Sequence, residues 1–309
     1  MKIAPTMTTL DIVLEGLMSR YSQRVPDVGR VIHAMIERGI VDSASCIEND
    51  HIAFRTMGTP QLGIQSLERI FLNYGYQRRE KYHFQSKKLD AFWYSPPEPR
   101  YPRIFISQLR VDDLSREAAD IIRSYTDQVA SDPVLELDLS DGRAVDQFLH
   151  QPLWTTPAWS DYLRLNQESE YAAWVIYNRY YLNHFTISVH NLPAPWNTVQ
   201  QFNHFLEDVG IRLNDAGGKI KTSPDGLLIQ SSTVAQMVDA EFVELDGSKS
   251  THQISGSYVE FAERRPLPEF ADMPAVQLER VHRRDGFEVG NADKIFESTF
   301  SSQTSRTVM

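Results

Sequence analysis

The stretch that decides the fold runs from residue 51 to residue 58 and reads His-Ile-Ala-Phe-Arg-Thr-Met-Gly. Its β-favouring residues and the closing Gly58 predict a short strand. Because side chains alternate faces along a strand, His51, Ala53 and Arg55 point the same way. A potential metal ligand and a permanent cation then share one surface. A lone strand histidine is more often a core or edge residue than a ligand, so the pattern needs partners elsewhere in the chain.

The composition is that of a soluble globular protein. The chain has 309 residues, of which 41% are hydrophobic and 23% are charged. This length suits one large domain or two modules. The net charge of −10 argues against a general nucleic-acid binder, which needs a basic surface. A small acidic ligand remains possible, because positive charge can be concentrated locally inside an acidic protein.

The sequence also suggests a cellular setting. Cys46 is the single cysteine, so no internal disulfide can form. Residues 1–17 lack the apolar core and the cleavage site of a secretory signal, and no stretch is apolar enough to span a membrane. We therefore expect a cytoplasmic protein with neither a membrane nor a nucleic acid as its partner.

Hydrophobic spacing divides the first part of the chain into two regions. Residues 1–45 form a helical lead-in with two helices separated by Pro26. Residues 46–111 follow with a strand from His51, a helix over 62–74 that Gly75 ends, and three further strands. The predicted order of this first module is βαβββ.

The same order recurs later in the chain. After a helical insert over 112–182, residues 183–265 predict a strand over 183–190, a helix over 198–209 and strands at 211–213, 227–231, 241–245 and 257–262. Residues 266–309 form a C-terminal extension. The sequence therefore predicts an α+β fold in a single domain over residues 1–309, with duplicated βαβββ modules forming a curved central sheet.

The duplication gives His51 a partner. His184 begins the first strand of the second module, as His51 does in the first. Two such modules related by a pseudo-twofold axis would bring these strands together at the centre. We therefore expect the two imidazoles to face each other.

A third ligand is needed for a mononuclear oxygenase-type site, which uses two imidazoles and one carboxylate. Glu260 lies in the middle of the last strand of the second module, between Val259 and Phe261. Such a carboxylate either faces outward or is paired inside, and the central position of the strand favours a ligand. Glu263 should point to the opposite face and be solvent-exposed.

Five stretches together resemble a known family. They are HIAFRT at 51–56, KKLDAFWY at 87–94, NHFT at 183–186, YVEFAER at 258–264 and the segment 286–296. In these stretches the chain resembles the DUF1338 family, which includes the 2-oxoadipate dioxygenase/decarboxylases of lysine catabolism. That family looks like a divergent member of the vicinal-oxygen-chelate group, which is built from paired βαβββ modules.

The resemblance implies a metal and a reaction. Fe(II) would be bound by His51, His184 and Glu260. The implied reaction converts 2-oxoadipate to 2-hydroxyglutarate with O₂ uptake and CO₂ release, so the expected partners are a small 2-oxo dicarboxylic acid and O₂. This ligand set alone also suits Mn, Co or Zn.

The resemblance further implies substrate contacts. Arg55 would bind the distal carboxylate of the substrate and so take part in catalysis, while Gln230 and Val289 would line the pocket. A guanidinium suits this role because it stays charged and can bind a carboxylate through two hydrogen bonds. One departure is Gln108, where an acidic residue is expected in many relatives; we do not interpret this position as a ligand.

Two other functions remain open at this point. The first is a different metal-dependent enzyme on the vicinal-oxygen-chelate scaffold, such as an isomerase, a lyase or a ring-cleaving dioxygenase. The second is a metal-free protein that binds a small molecule. Oxygen uptake coupled to CO₂ release separates the first from the proposed enzyme, and stoichiometric metal separates the second.

Overall fold

The computed structural model describes residues 7–305, which begin with two helices. Helix α1 spans Thr9–Arg24, and the Thr8 side chain accepts a hydrogen bond from Asp11 N at its start. Helix α2 spans Pro26–Glu37 and begins at the proline that the sequence pointed to. Residues 1–6 of the lead-in and 306–309 of the C-terminal extension lie outside the described residues.

The first module contains one helix and four strands. Strand β1 spans Asn49–Met57 and helix α3 spans Ile64–Asn73. They are followed by strands β2 at Gln77–Phe84, β3 at Leu89–Ser95 and β4 at Arg103–Leu109. Strands β2, β3 and β4 are antiparallel neighbours, and β4 runs parallel to β1. The predicted βαβββ order is therefore present.

Four helices connect the two modules. They are α4 at Arg116–Thr126, α5 at Gly142–His150, α6 at Trp159–Glu168 and α7 at Glu170–Asn178. Their buried apolar side chains join those of the lead-in helices and of both modules in one continuous core. Within residues 7–305, no helix is long and apolar enough to cross a membrane.

The second module repeats the first, with one hairpin inserted. It begins with strand β5 at His184–Ser188 and helix α8 at Val199–Asp208. Strands β6 at Lys221–Thr222 and β7 at Leu228–Ser232 follow, and β10 at Tyr258–Arg264 is its last strand. Strands β8 at Met237–Val243 and β9 at Lys249–Ser255 lie between β7 and β10. Helices α9 at Val289–Phe296 and α10 at Ser301–Thr304 end the described chain.

The sheet order shows the duplication directly. Eight strands form one sheet in the order β2-β3-β4-β1-β5-β10-β7-β6. If each strand of the first module is replaced by its counterpart in the second module, and the reverse, the same order is obtained when read from the other edge of the sheet. Strands β1 and β5 meet at the centre as antiparallel neighbours, with Ala53 opposite His184. The predicted α+β fold with paired modules is confirmed.

One strand prediction was wrong, and another was right only in part. Of the segment 241–245, residues 241–243 end strand β8, which belongs to a separate two-stranded sheet, β8–β9, and not to the main sheet. The segment 211–213 forms only an isolated bridge between Leu213 and Thr233. Strand β5 also ends at Ser188, so His190 lies in the following 3₁₀ turn.

The two modules anchor their helices in the same way. The Gln108 side chain at the end of β4 accepts a hydrogen bond from Ile64 N, the first residue of α3, at 2.9 Å. The Glu263 side chain at the end of β10 accepts one from Val199 N, the first residue of α8, also at 2.9 Å. Glu263 is only 6% exposed, so the expectation of a solvent-exposed residue was wrong. Each side chain thus accepts a hydrogen bond from a backbone N–H in the first turn of a helix, which has no partner within the helix.

Candidate metal centre and active site

Three side chains meet on one face of the central strands. Strand β1 provides His51, β5 provides His184 and β10 provides Glu260. The His51 and His184 Nε2 atoms are 3.3 Å apart, and the Glu260 carboxylate oxygens lie 3.4 Å and 3.1 Å from them. All three residues are at least 94% buried, since their exposed fractions are 1%, 6% and 1%.

This donor set fits a divalent transition metal. Ligand atoms at about 2.1 Å from an ion and at right angles to each other lie roughly 3.0 Å apart, close to the separations observed here. Among residues 7–305, these three form the group of histidine and acidic side chains that could hold an ion. Two imidazoles and one carboxylate are the donors used by non-haem iron oxygenases, and they leave positions open on the metal.

Each histidine is oriented by the residue that precedes it. The His51 Nδ1 atom donates to the Asp50 carboxylate at 2.8 Å, and the His184 Nδ1 atom donates to the Asn183 Oδ1 atom at 3.1 Å. With Nδ1 protonated, each Nε2 atom carries the lone pair that a metal would use, and the His51 Nε2 atom accepts a hydrogen bond from Thr186 Oγ1 at 3.0 Å. Asp50 and Asn183 occupy the same position in the two modules.

Asp50 is held in place by two buried arginines. Its carboxylate accepts two hydrogen bonds from Arg264, at 2.7 Å and 2.9 Å, and lies 3.3 Å from Arg103 Nη1. Neighbouring residues on a regular strand point to opposite faces, but the β1–β5 register shifts between Asn49 and Ile52. Burial opposes the Asp50 charge, yet Arg264 and Arg103 outweigh burial and hold the pKa of this carboxyl well below its usual range.

The ligands influence one another electrostatically. Burial disfavours the charged form of Glu260, but His51 and His184 outweigh it and hold the pKa of this carboxyl well below its usual range. Burial also disfavours a charged His51 ring, yet Glu260 and Asp50 raise the pKa of His51. Burial lowers the pKa of His184. The two candidate histidine ligands therefore differ, because the pKa of His51 is raised and that of His184 is lowered.

A small cavity of about 20 Å³ adjoins the three ligands. We call it the central cavity; its other lining residues are Phe105, Gln230, Tyr258, Phe287, Ala292, Ile295 and Phe296. Gln230 donates through Nε2 to Glu260 Oε1 at 2.5 Å and accepts from Asn291 Nδ2 at 3.0 Å. Gln230 therefore holds one oxygen of the candidate metal-ligating carboxylate.

Arg55 lies near the central cavity and is 1% exposed. Its Nη1 atom donates to Thr299 Oγ1 at 2.9 Å, and its Nη2 atom donates to the Phe296 carbonyl at 3.1 Å. Its Nε atom is buried and has no hydrogen-bond partner among residues 7–305. The aromatic rings of Tyr171 and Trp174 lie 5.1 Å from the guanidinium carbon. No carboxylate of the described residues forms an ion pair with it, although the charge of Glu170 acts on it from farther away.

The other predicted pocket residue has a different environment. Val289 begins α9, its side chain is 38% exposed, and it is not among the residues that line the central cavity. Phe287, two residues before it, lines the cavity and contacts His51, with 4.8 Å between the ring centres. Sequence reasoning missed Asp50 and Asn183, although their shared position before the two histidines was a usable signal.

Solved structures of other proteins share this architecture. The hydroxyglutarate synthase from Oryza sativa, solved in complex with 2-oxoadipate, is 40% identical to the chain, with a TM-score of 0.85 over 99% of this chain and 100% of that one. A glyoxalase superfamily protein from Ralstonia eutropha JMP134 is 19% identical, with a TM-score of 0.67 over 92% of this chain and 88% of that one. The second likeness shows the fold alone and agrees with the vicinal-oxygen-chelate expectation.

A curated relative corrects the expected location. The chloroplastic 2-oxoadipate dioxygenase/decarboxylase of Arabidopsis thaliana is 43% identical over 305 residues, which cover 95% of this chain and 78% of that protein. The curated relatives that match are plastid proteins, and this finding overturns the cytoplasmic expectation. That expectation rested only on signals that the sequence lacks.

The family is shown by a match that covers most of the chain. The model of the 2-oxoadipate dioxygenase/decarboxylase family matches residues 13–271. This range includes both modules and all three candidate metal ligands. The DUF1338 resemblance is therefore confirmed, and the chain belongs to the 2-oxoadipate dioxygenase/decarboxylase family.

Proposed function

We propose that this chain is an Fe(II)-dependent enzyme of lysine catabolism that converts 2-oxoadipate to 2-hydroxyglutarate, with uptake of O₂ and release of CO₂. The observation that carries the proposal is the buried group of His51, His184 and Glu260, with Arg55 nearby as a buried cation that has no ion-pair partner among residues 7–305. One end of this site suits a metal and a 2-oxo acid, and the other suits a second carboxylate. Membership of the family supports the same reaction.

His51, His184 and Glu260 would hold the iron. When bound, Fe(II) would polarise the 2-oxo acid and supply the one-electron chemistry that O₂ requires. Asp50 and Asn183 accept hydrogen bonds from the Nδ1 atoms, which leaves the Nε2 atoms of both histidines to bind the metal. The hydrogen bond from Gln230 to Glu260 Oε1 holds the carboxylate in one orientation.

The central cavity would keep water away from the reaction. Its walls are largely aromatic, and the Phe105 and Phe287 rings pack with their centres 4.9 Å apart. Exclusion of water strengthens electrostatic contacts and limits side reactions. The cavity volume of about 20 Å³ is close to the room that one water molecule needs. A six-carbon acid would therefore need the cavity to widen on binding.

Arg55 would bind the distal carboxylate of the substrate. A buried guanidinium without an anionic partner is unfavourable, and an entering carboxylate would remove that cost. Its contacts with Thr299 and the Phe296 carbonyl hold the guanidinium in place before substrate arrives. Preorganisation of this kind places the reacting 2-oxo group at the metal.

The test is oxygen uptake by protein loaded anaerobically with Fe(II). We expect uptake with 2-oxoadipate, formation of 2-hydroxyglutarate and release of CO₂, and much slower uptake with 2-oxo acids of other lengths. Glu260→Gln should lose metal and activity, while the matched control His204→Ala, on the exposed face of α8, should keep both. Lack of uptake with any 2-oxo acid would refute the proposal and favour another reaction of the same fold. Normal folding with no stoichiometric metal would favour a metal-free binding protein.

A further inference from the structure

The Tyr258 hydroxyl is a polar group of the central cavity that the fold leaves without a partner. Tyr258 lines the cavity and is 1% exposed. Its hydroxyl oxygen is buried and has no hydrogen-bond partner among residues 7–305. A buried hydroxyl without a hydrogen bond is unfavourable, so most such groups in native proteins are paired. The exception here lies inside a candidate active site, where a ligand can provide the missing partner.

A second unpaired donor lies beside it. Arg55 and the Tyr258 hydroxyl act on each other through charge and through a side-chain contact that falls short of hydrogen-bond geometry, so the two groups are neighbours. Two nitrogens of Arg55 are engaged with Thr299 and Phe296, and the third, Nε, is buried without a partner. Apart from the Tyr258 oxygen itself, these two adjacent donors, one of them charged, have no acceptor among residues 7–305. Two donors and a positive charge suit the two oxygens of a carboxylate.

The remaining polar groups of the cavity are already engaged. His51, His184 and Glu260 are the candidate metal ligands, and Gln230 is bonded at both ends of its amide, to Glu260 and Asn291. The other lining side chains are apolar. Of the side chains that line the central cavity, Tyr258 alone therefore combines a hydrogen-bonding group with the lack of a protein partner.

The sheet places Tyr258 between the two ends of the site. It lies directly opposite His184 in the parallel pairing of β10 and β5, and the two ring centres are 4.8 Å apart. Arg55 is on β1, four residues beyond His51 and on the same face. A molecule with its 2-oxo acid at the metal would therefore run past Tyr258 toward Arg55.

We propose that the Tyr258 hydroxyl and Arg55 Nε jointly bind the distal carboxylate of a 2-oxo diacid, which makes Tyr258 a specificity-determining residue. The inference rests on the proposed function for the orientation of the substrate. The carboxylate would then have two donors, and Arg55 would contact it through Nε and not through its two terminal nitrogens. Tyr258 should discriminate a diacid from a monoacid of the same length.

The test compares 2-oxoadipate with 2-oxohexanoate, which has the same six-carbon chain without the distal carboxylate. Binding of each acid to the Fe(II)-loaded protein is measured anaerobically by calorimetry, and KM and kcat are measured in air. In Tyr258→Phe the ring and its packing are kept and only the hydroxyl is lost. We expect the affinity for 2-oxoadipate to fall about 10- to 100-fold, because the lost hydrogen bond is to a charged group. The affinity for 2-oxohexanoate and the iron content should not change.

Tyr180→Phe is the matched control, because Tyr180 is a buried tyrosine outside the cavity whose hydroxyl already donates to the Leu62 carbonyl. This variant should bind both acids as the wild type does. An equal loss for both acids in Tyr258→Phe, or no loss for either, would overturn the inference while leaving the proposed function intact if the wild type still turns over 2-oxoadipate. Binding of 2-oxoadipate that depends on Tyr258 without any oxygen uptake would instead overturn only the proposed function. A wild type that does not bind 2-oxoadipate would overturn both.

Discussion

The Nε2 atoms of His51 and His184 lie 3.3 Å apart, although 133 residues separate them in the chain. The closeness follows from the antiparallel pairing of β1 and β5, the first strands of the two modules. The duplication thus brings one imidazole from each module to the centre of the sheet. The third candidate ligand has no counterpart in the first module. Glu260 lies two residues beyond Tyr258, the partner of His184 on β10, and the corresponding residue on β4 is Phe105.

Loss of one imidazole should abolish metal binding. We predict that His184→Ala binds iron at least about 100-fold more weakly, since two donors hold an ion far less well than three. The chain should still fold, because the removed ring is small compared with the continuous core. Metal analysis after gel filtration measures the effect, and His204→Ala serves as the exposed control. Iron bound to His184→Ala at wild-type stoichiometry would exclude this histidine as a ligand.

Asp50 should support both the metal and the fold. Asp50→Ala removes the acceptor of His51 Nδ1 and the partner of Arg264 and Arg103. We expect metal affinity to fall about 10- to 100-fold. We also expect the free energy of unfolding to fall by about 3–5 kcal/mol, because two buried guanidinium groups lose a counter-charge. Metal titration and urea unfolding test the two effects.

The control for Asp50 is Asn183→Ala, which removes the equivalent neutral acceptor from His184. It should weaken metal binding with a smaller loss of stability, since no ion pair is broken. Equal stability losses in the two variants would contradict the role given to the arginines.

Metal binding should become stronger as the pH rises toward neutrality. Glu260 and Asp50 raise the pKa of His51 above its ordinary value of about 6.5, and a metal must displace that proton. Below the pKa of His51, apparent affinity should rise about tenfold for each pH unit, and the slope should flatten above it. Titration with Co²⁺ or Fe²⁺ between pH 5.5 and pH 8, under anaerobic conditions for iron, measures the slope. An affinity that is constant over this range would show that His51 is not protonated in the metal-free protein.

Much of the fold could be predicted from the sequence, because its signals are local. The module helices α3 and α8 carry apolar residues on one face, and Gly75 and Gly210, which have positive φ, follow them. The β8–β9 hairpin was not predicted correctly, because strand β9 reads Lys-Ser-Thr-His-Gln-Ile-Ser, in which Ile254 is the one apolar and the one buried residue. A polar strand of this kind has little apolar alternation to detect.

The site was predictable where the repeat was informative. His51 and His184 share a position in two modules, and Glu260 is a carboxylate between apolar neighbours. Asp50 and Asn183 stand directly before the two histidines, and this repeated position was a signal in the sequence. The contacts of Asp50 with Arg264 and Arg103 come from strands distant in the chain and have no sequence signature. The unpaired Tyr258 hydroxyl likewise depends on the three-dimensional surroundings of the residue.

The symmetrical helix anchors should affect stability and not chemistry. Glu263→Ala leaves the buried Val199 N–H without its acceptor, and we expect a loss of about 1–3 kcal/mol in the free energy of unfolding. Gln108→Ala, which removes the acceptor of Ile64 N, should have a similar cost. Urea unfolding gives the free energies, and kcat per folded molecule should match that of the wild type. A large fall in kcat without a fall in stability would assign these residues another role.

The central claim is that one iron ion is held by His51, His184 and Glu260. Anomalous diffraction at the iron edge, from crystals of protein loaded anaerobically with Fe(II), tests it most directly. We expect a single strong peak at roughly 2.1 Å from the Nε2 atoms of both histidines and from the Glu260 carboxylate. A peak at any other position, or no peak in protein that is active with 2-oxoadipate, would contradict it.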